Sequence, residues 1–444
     1  MNLENHPTVQ IIRSKAPSEF QYPSPPLHTR WLKDLAIESG AHDVGLVDIQ
    51  RPGLAEHKDD LLKVFPHVKT LVSILCRLNP DNIRCVYRSV SDLEFLNGFE
   101  AVNAVSHRMS ERLRAEGVRV LTPSGGFPMD LEHWPGKMWP VSHKPVAVEA
   151  GLGRLGLNRL LLHPQFGNFV VIGTLLLDRE AESYDHPIDF DPCLGCKLCA
   201  SVCPVGAIGE DGHFSFSNCM THNYRDRMGG FSDWVEHIVT SNSAREYRKH
   251  VTDPETVSMW QSLSYGICNK SSYCMAVCPA GEKQIGPFLE DRKTYLTTVV
   301  NPLQKRTEMV YVVPGSDAEH FAAKRFPHKT IRRVGSGLRP KSVSNFLFSL
   351  PLVFQRIPAK GLDARYHLTF SGAESLEATI VIHDQKLEVL DGLQGVANLH
   401  LKADSATWVR FLAKEKNLLA ALLTGKMKIK GSPALLKAFA ACFP

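Results

Sequence analysis

Apolar positions along the first 180 residues alternate between helical and strand spacing. Trp31, Leu32, Leu35 and Ala36 share one face of a helix that starts near His28 and stops at Gly40, and Val44 to Val47 then predicts a strand. A second strand is predicted over Val68–Cys76. Phe95, Phe99, Val102, Met109 and Leu113 recur near the 3.6-residue period of a helix, with Gly117 placed as its C-cap and Val118–Leu121 opening the next strand. The run from Asn168 to Asp178 is continuously β-branched and leucine-rich, which suits a strand buried on both faces. This alternation predicts an α/β domain over residues 28–180, preceded by a loose, Pro-rich arm over 1–27.

Beyond residue 180 the pattern changes. Cysteine, glycine and proline dominate 181–290, except in 220–265, where Trp234, His237, Tyr247 and Trp260 mark a helical insertion. Between 291 and 344 the chain reads as a basic linker: Lys324, Arg325, Lys329, Arg332, Arg333, Arg339 and Lys341 succeed one another with no acidic residue among them. A solvated connector is the plain reading, and a docking strip for an acidic redox partner or anionic lipid is the sharper one. From 345 onward Leu376, Ala378, Ile380 and Ile382, and later Leu399 and Leu401, alternate as half-buried strands do. Trp408, Phe411 and Leu412 then share a helix face, and Ser432-Pro433 caps a last helix, so this part is α+β.

Composition narrows the classes. With 43% hydrophobic and 22% charged residues the chain is a globular one, and a net charge of +5 spread over 444 residues does not describe a nucleic-acid binder. The start of the chain lacks a secretory signal, and the longest apolar stretch, Phe346–Phe354, falls far short of the ~20 residues a membrane span needs. A cytoplasmic protein without a transmembrane segment is expected, in a compartment that keeps its eleven cysteines reduced.

Eight of those cysteines carry the chemistry. Cys193-x2-Cys196-x2-Cys199-x3-Cys203-Pro204 is the spacing of a ferredoxin, in which three thiolates hold one [4Fe–4S] cluster and the fourth turns to a second. Structural zinc prefers two separated cysteine pairs. If Cys203 leaves for a second cluster, Cys219, Cys268 and Cys274 can complete that one, while Cys278 joins Cys193, Cys196 and Cys199 in the first. The repeat Ser201-Val202-Cys203-Pro204 against Ala276-Val277-Cys278-Pro279 supports this exchange. Cys76, in an apolar strand, reads as a core thiol. Gly151-Leu-Gly153-Arg-Leu-Gly156 fits a dinucleotide fingerprint, but helix precedes it, and Pro164 and Gly167 interrupt the next segment too soon for a crossover helix.

With these residues in view, the chain over about 28–290 resembles the epoxyqueuosine reductases and reductive dehalogenases, cobalamin-dependent iron–sulfur reductases. The matching residues are Ala150-Gly151-Leu152-Gly153-x-x-Gly156-x-Asn158, the strand ending at Asp178, the motif from Cys193, the lone Cys219, and Tyr265-Gly266 leading into Cys268, Cys274 and Cys278. The resemblance implies a cobalamin-binding-type α/β domain, with Gly151, Gly153, Gly156 and Asn158 as cofactor-binding residues, and an external ferredoxin or flavodoxin as electron donor. It departs where these reductases carry an acidic proton donor, because the matching stretch here is Val141-Ser142-His143-Lys144-Pro145. The catalytic residue is thus unassigned, with His143 and Asp130 as candidates and Glu132 and His133 beside them. Residues 345–444 resemble the sterol carrier protein fold through Leu422-Leu423-Thr424-Gly425-Lys426-Met427-Lys428-Ile429-Lys430-Gly431, which implies binding of a hydrophobic small molecule or lipid. An iron–sulfur reductase acting on a lipid-like substrate is the resulting expectation. A non-enzymatic electron-transfer or lipid-binding adaptor is the alternative, and a flavin-dependent reductase on a similar sheet is a third reading.

Overall fold

The computed structural model describes residues 3–14, 25–132, 134–135, 138–266 and 268–444. The first sheet forms from β1 (Asp43–Asp48), β2 (Thr70–Arg77), β3 (Val120–Leu121) and, after a short hairpin of β4 (Arg154–Leu155) and β5 (Leu161–Leu162), β6 (Val170–Leu177). Its order is β1-β2-β6-β3, and every pairing is antiparallel. This placement explains the apolar runs of β2 and β6: both are central, and both are buried along nearly their whole length. The helices Thr29–Glu38 and Arg88–Ala115 turn Leu32, Leu35, Val102, Met109 and Leu113 onto the sheet. The α/β expectation therefore holds for the helix-covered layers, but the strands are not joined as parallel crossover units. Of the expected arm, Pro7–Ser14 is a helix with no buried residue, and 15–24 lie outside the described residues.

The cysteine-rich part has no separate core on the side facing this layer. Leu198, Val202, Tyr273, Met275, Ala276 and Val277 are continuous with the core under the sheet. The short helices Leu198–Val202 and Tyr273–Ala276 pack together, and each leads into a Cys-Pro step. A second anchor is the approach of Gly167 and Gly281, where a side chain at either would strike the other's strand: a Cβ on Gly167 would lie 2.0 Å from the Ala280 carbonyl oxygen. The helical insertion is present as Phe216–Asn223, Gly229–Thr240, Ala244–His250 and Asp253–Tyr265, the last opened by a Thr252–Glu255 capping box.

The basic linker needs correction. Residues 291–344 fold into helical turns followed by β7 (Met309–Val312), the helix Asp317–Arg325 and β8 (Thr330–Arg333), with β7 and β8 parallel. Several of the basic residues are partnered by carboxylates from outside the run: Lys329 is buried with its Nζ 2.6 Å from Glu308, Arg333 lies 2.6 Å from Glu319, Arg332 lies 3.7 Å from Glu255, and Arg339 pairs with Glu236. The run is thus no open basic strip.

The last unit is a five-stranded sheet of β9 (Ala364–Ser371), β10 (Leu376–His383), β11 (Lys386–Asp391), β12 (Leu399–Asp404) and β13 (Met427–Gly431), ordered β11-β10-β9-β12-β13. Tyr366, Leu368, Phe370, Ile380, Ile382 and Trp408 fill its core. The helix Val343–Val353 packs both on this unit and on the helix Phe216–Asn223 of the cysteine-rich part. Among the described residues no helix is long and apolar enough to cross a membrane.

Candidate metal centre

Cys193 and Cys196 leave the loop before the helix Leu198–Val202 and Cys199 its first turn, and Lys197 adopts a left-handed φ of 58° that turns the chain between the sulfurs of Cys196 and Cys199. Together with Cys278, which arrives from far along the chain, they line one cavity shared with Leu157, Asn158 and Leu162. Burial pushes the Cys199 thiol up to about 12, reinforced by Cys278, Cys196 and Cys193 around it, and burial likewise lifts Cys278 to about 12. Cys199 and Cys278 therefore resist ionisation when bare, and the four thiols together are a donor set for a cationic centre, whose charge makes the thiolates favourable. Among the described residues no three His, Cys, Asp or Glu close on a single metal ion.

Cys203 points the other way. The chain after Cys203-Pro204 wraps its sulfur with amide N–H groups: Ala207 N–H donates to Sγ at 3.3 Å, and Val205, Gly206 and Ile208 also face it. The quasi-symmetric Cys278 is met by the Ala280 amide in the same sense. Cys219, on the helix Phe216–Asn223, lies close enough to Cys203 for that thiol to raise it further, after burial, to about 12. Cys274 is raised by burial and then by Cys219, Cys203, Cys199 and Cys278, so it stands between the two sets. Cys268 is set among Asp92, Asp226, Lys270 and Arg88, and Arg227 is near both it and Cys219. The residues expected for a first cluster are thus gathered round one cavity, three expected for a second lie together, and Cys268 is linked to them through Arg227, which is near both Cys268 and Cys219.

Charged groups that the sequence did not single out surround this second set. Lys270 and Asp226 are both buried and 2.5 Å apart, and Ser258 bridges them. Arg225 pairs with Asp233 at 2.5 Å. Lys144 reaches towards Cys219 and Cys274 while its Nζ donates to the Arg159 carbonyl at 2.7 Å. These lysines and arginines carry no sequence signal of this role, since ligand spacing reports only the thiolates.

The other candidates fall elsewhere. His143 is buried, its Nε2–H donating to the Ser124 carbonyl at 2.8 Å and its Nδ1 2.9 Å from the Thr174 hydroxyl; burial pushes its pKa down, so it is a neutral histidine fixed in the first layer rather than a free proton donor. Asp130 is exposed and accepts the Glu132 amide of its own turn at 3.0 Å. His133 lies outside the described residues. Gly151, Gly153 and Gly156 face the chain itself: side chains there would meet the His186 carbonyl at 2.5 Å, the Leu162 carbonyl at 2.2 Å and the Leu162 side chain at 2.6 Å. Asn158 is buried and donates to the Cys274 carbonyl at 3.3 Å, which ties the first cavity to the second set.

Residues 186–209 match the 4Fe-4S binding domain family, and residues 356–444 match the SCP-2 sterol transfer family. The epoxyqueuosine reductase of Bacillus cereus is 28% identical over 133 residues, which cover 26% of this chain and 34% of that protein. That of Cyclobacterium marinum is 39% identical over 83 residues, covering 19% of this chain and 26% of the relative. The chain therefore spans about a third or less of the curated relatives it matches. Among solved structures, an epoxyqueuosine reductase with an epoxyqueuosine-modified tRNA-Tyr stem loop aligns at a TM-score of 0.33 and 17% identity, covering 43% of this chain and 56% of that one. A B12-dependent reductive dehalogenase aligns at 0.34 and 20%, covering 44% and 27%. The chain is thus similar to epoxyqueuosine reductases in part of its length, and carries a 4Fe–4S-binding segment and an SCP-2 domain.

Proposed function

We propose that this protein is an iron–sulfur oxidoreductase that passes single electrons through two [4Fe–4S] clusters, the first on Cys193, Cys196, Cys199 and Cys278 and the second on Cys203, Cys219, Cys268 and Cys274. The observation that carries the reading is the arrival of Cys278 in the same cavity as the three locally spaced thiols, because a ferredoxin-type exchange of the fourth ligand requires it. The first set opens to solvent: Leu194 is 46% exposed beside Cys193, and Phe190 just before it is 51% exposed. An external donor such as a ferredoxin or flavodoxin would deliver its electron there. Cys274, between the sets, offers the short path inward.

Bound clusters supply low-potential one-electron transfer. The chain's own contribution is to hold the thiolates apart at fixed corners and to aim amide N–H groups at Cys203 and Cys278. Cobalamin does not fit the residues expected to bind it. The spaces over Gly151, Gly153 and Gly156 are filled by His186 and Leu162, and Asn158 is committed to Cys274. No electron-transfer step is assigned to that cofactor.

The SCP-2 match supports a hydrophobic molecule as ligand of the last domain, and the packing of the helix Val343–Val353 on the helix that bears Cys219 brings that domain beside the inner set. The test is anaerobic reconstitution of the full chain with iron and sulfide, followed by stepwise reduction with a photoreduced ferredoxin. Two separately reducible clusters support the reading; a single cluster, or bound zinc, overturns it.

A further inference from the structure

The second set of thiols is overlooked by a guanidinium that, among the described residues, makes no direct ion pair. Arg227 is clamped between two aromatic rings, its Cζ 5.0 Å from the centre of Phe127 and 4.6 Å from that of Tyr224. One nitrogen, Nη2, donates to Asn269 Oδ1 at 2.9 Å. The other two, Nε and Nη1, are buried and have no hydrogen-bond partner, and among the described residues Arg227 forms no ion pair with a carboxylate. Leaving two guanidinium N–H groups unpaired away from water is costly, as is a buried charge without an anion. The neighbours show where a closer anion belongs. The Asp92 carboxylate, Cys268 and Cys219 are all within reach of the Arg227 charge, but none of them is bonded to Nε or Nη1; Asn269, which holds Nη2, is adjacent in sequence to Cys268, and the Tyr224 ring beneath the guanidinium borders Cys219 and Cys274.

We infer that Arg227 is the charge partner of the second cluster, its Nε–H and Nη1–H donating to cluster or cysteine sulfur between Cys219 and Cys268, and that it raises the reduction potential of that cluster above what its thiolates alone would set. The inference rests on the two-cluster proposal. Its chemistry is simple: a reduced cluster carries one more negative charge than the oxidised one, so a fixed cation with N–H groups on its sulfur favours the reduced form. The inner cluster then becomes the better electron acceptor, and electrons from the solvent-near first cluster are drawn inward. Phe127 comes from the segment after β3, so the clamp also ties the first layer to the inner cluster.

The experiment is a potentiometric titration of the anaerobically reconstituted full chain, followed by electron paramagnetic resonance, for the unaltered protein, Arg227→Gln and Arg227→Lys. Iron is counted in each sample, and the signal lost in Cys219→Ala identifies the second cluster. In Arg227→Gln the midpoint of the second cluster moves to a more negative potential while the first stays where it was; Arg227→Lys, which keeps the charge but not the planar fork, moves in the same direction by less. Unchanged midpoints in an Arg227→Gln protein with its full iron content overturn the inference. So does a loss of the second cluster in Arg227→Gln with no change of midpoint in Arg227→Lys, which would make the arginine a scaffold only. If the unaltered protein binds one cluster, the two-cluster reading itself fails, and the iron count shows this before any variant is compared.

Discussion

A buried thiol is a poor ligand until a cation arrives, and single side chains around the clusters can be tested on that property. Cys199, Cys219 and Cys278 are each raised by burial to about 12 from the ordinary value of 9.0. In the metal-free protein these groups stay protonated when folded, whereas the unfolded chain ionises from about pH 9, so that part of stability is present below pH 9 and is lost as pH rises towards 12. Denaturant titrations of apo and cluster-loaded protein at pH 7 and pH 10 should show the apo form alone weakening at the higher pH. The Lys270–Asp226 pair is held between the two chain segments that bear Cys219 and Cys268. Removing one partner, as in Asp226→Ala, leaves a buried ammonium and is expected to destabilise by about 3–5 kcal/mol, with loss of the second cluster's signal in iron analysis before any loss of the first. The four closely spaced cysteines were legible in the sequence because a cluster loop is local. Arg227 was not, since its two rings and its bond to Asn269 come from three separate stretches that only the fold unites.

Elements were legible where they were long enough to show a period. The helix Arg88–Ala115 and β10 present a run that repeats its spacing, β2 and β6 a continuous apolar run, and the helix Pro433–Ala441 announces itself by Ser432, whose side chain accepts the Ala434 amide. β7 and β8 were missed because four residues are too few to display alternation, and because the basic residues around them find Glu308, Glu319, Glu255 and Glu236 only in three dimensions. Capping gives a direct check on one element of the last unit. Asp404 accepts both the Thr407 amide, at 3.0 Å, and the Thr407 hydroxyl, at 2.6 Å, at the start of the helix Ser405–Leu412, and the hydroxyl bond foremost holds its carboxyl below the usual 3.8. Asp404→Ala should cost about 1 kcal/mol by thermal unfolding at pH 7. Because the folded pKa is depressed, that contribution is present above pH 3.8 and fades as the pH falls through the lowered value, so the variant and the parent converge in acid.

Across the molecule, three units meet around the cysteines. The first layer shares its core with the short helices that lead into Cys203 and Cys278, the inner set is roofed by the helical insertion, and the SCP-2 domain is attached through the folded segment 291–344. The attachment is polar as well as apolar: Asp317 accepts the backbone amides of Arg356 at 2.7 Å and Ile357 at 3.1 Å, while the Arg356 guanidinium reaches Asp211 at 2.7 Å. Asp317→Ala removes charge-assisted hydrogen bonds of about 1.5–3 kcal/mol each, and hydrogen exchange should accelerate at 356–360 with little change in β9 or β10. None of this joint was visible in the chain, because residues 291–344 looked like a tether and not a folded bracket. The proposed electron path stands on two clusters in one chain, and iron and acid-labile sulfide analysis of anaerobically prepared protein, read with Mössbauer spectroscopy, tests it most directly. Two clusters predict about eight irons and eight sulfides per chain, all in cubane [4Fe–4S] environments. About four irons, or zinc in place of iron, would contradict it.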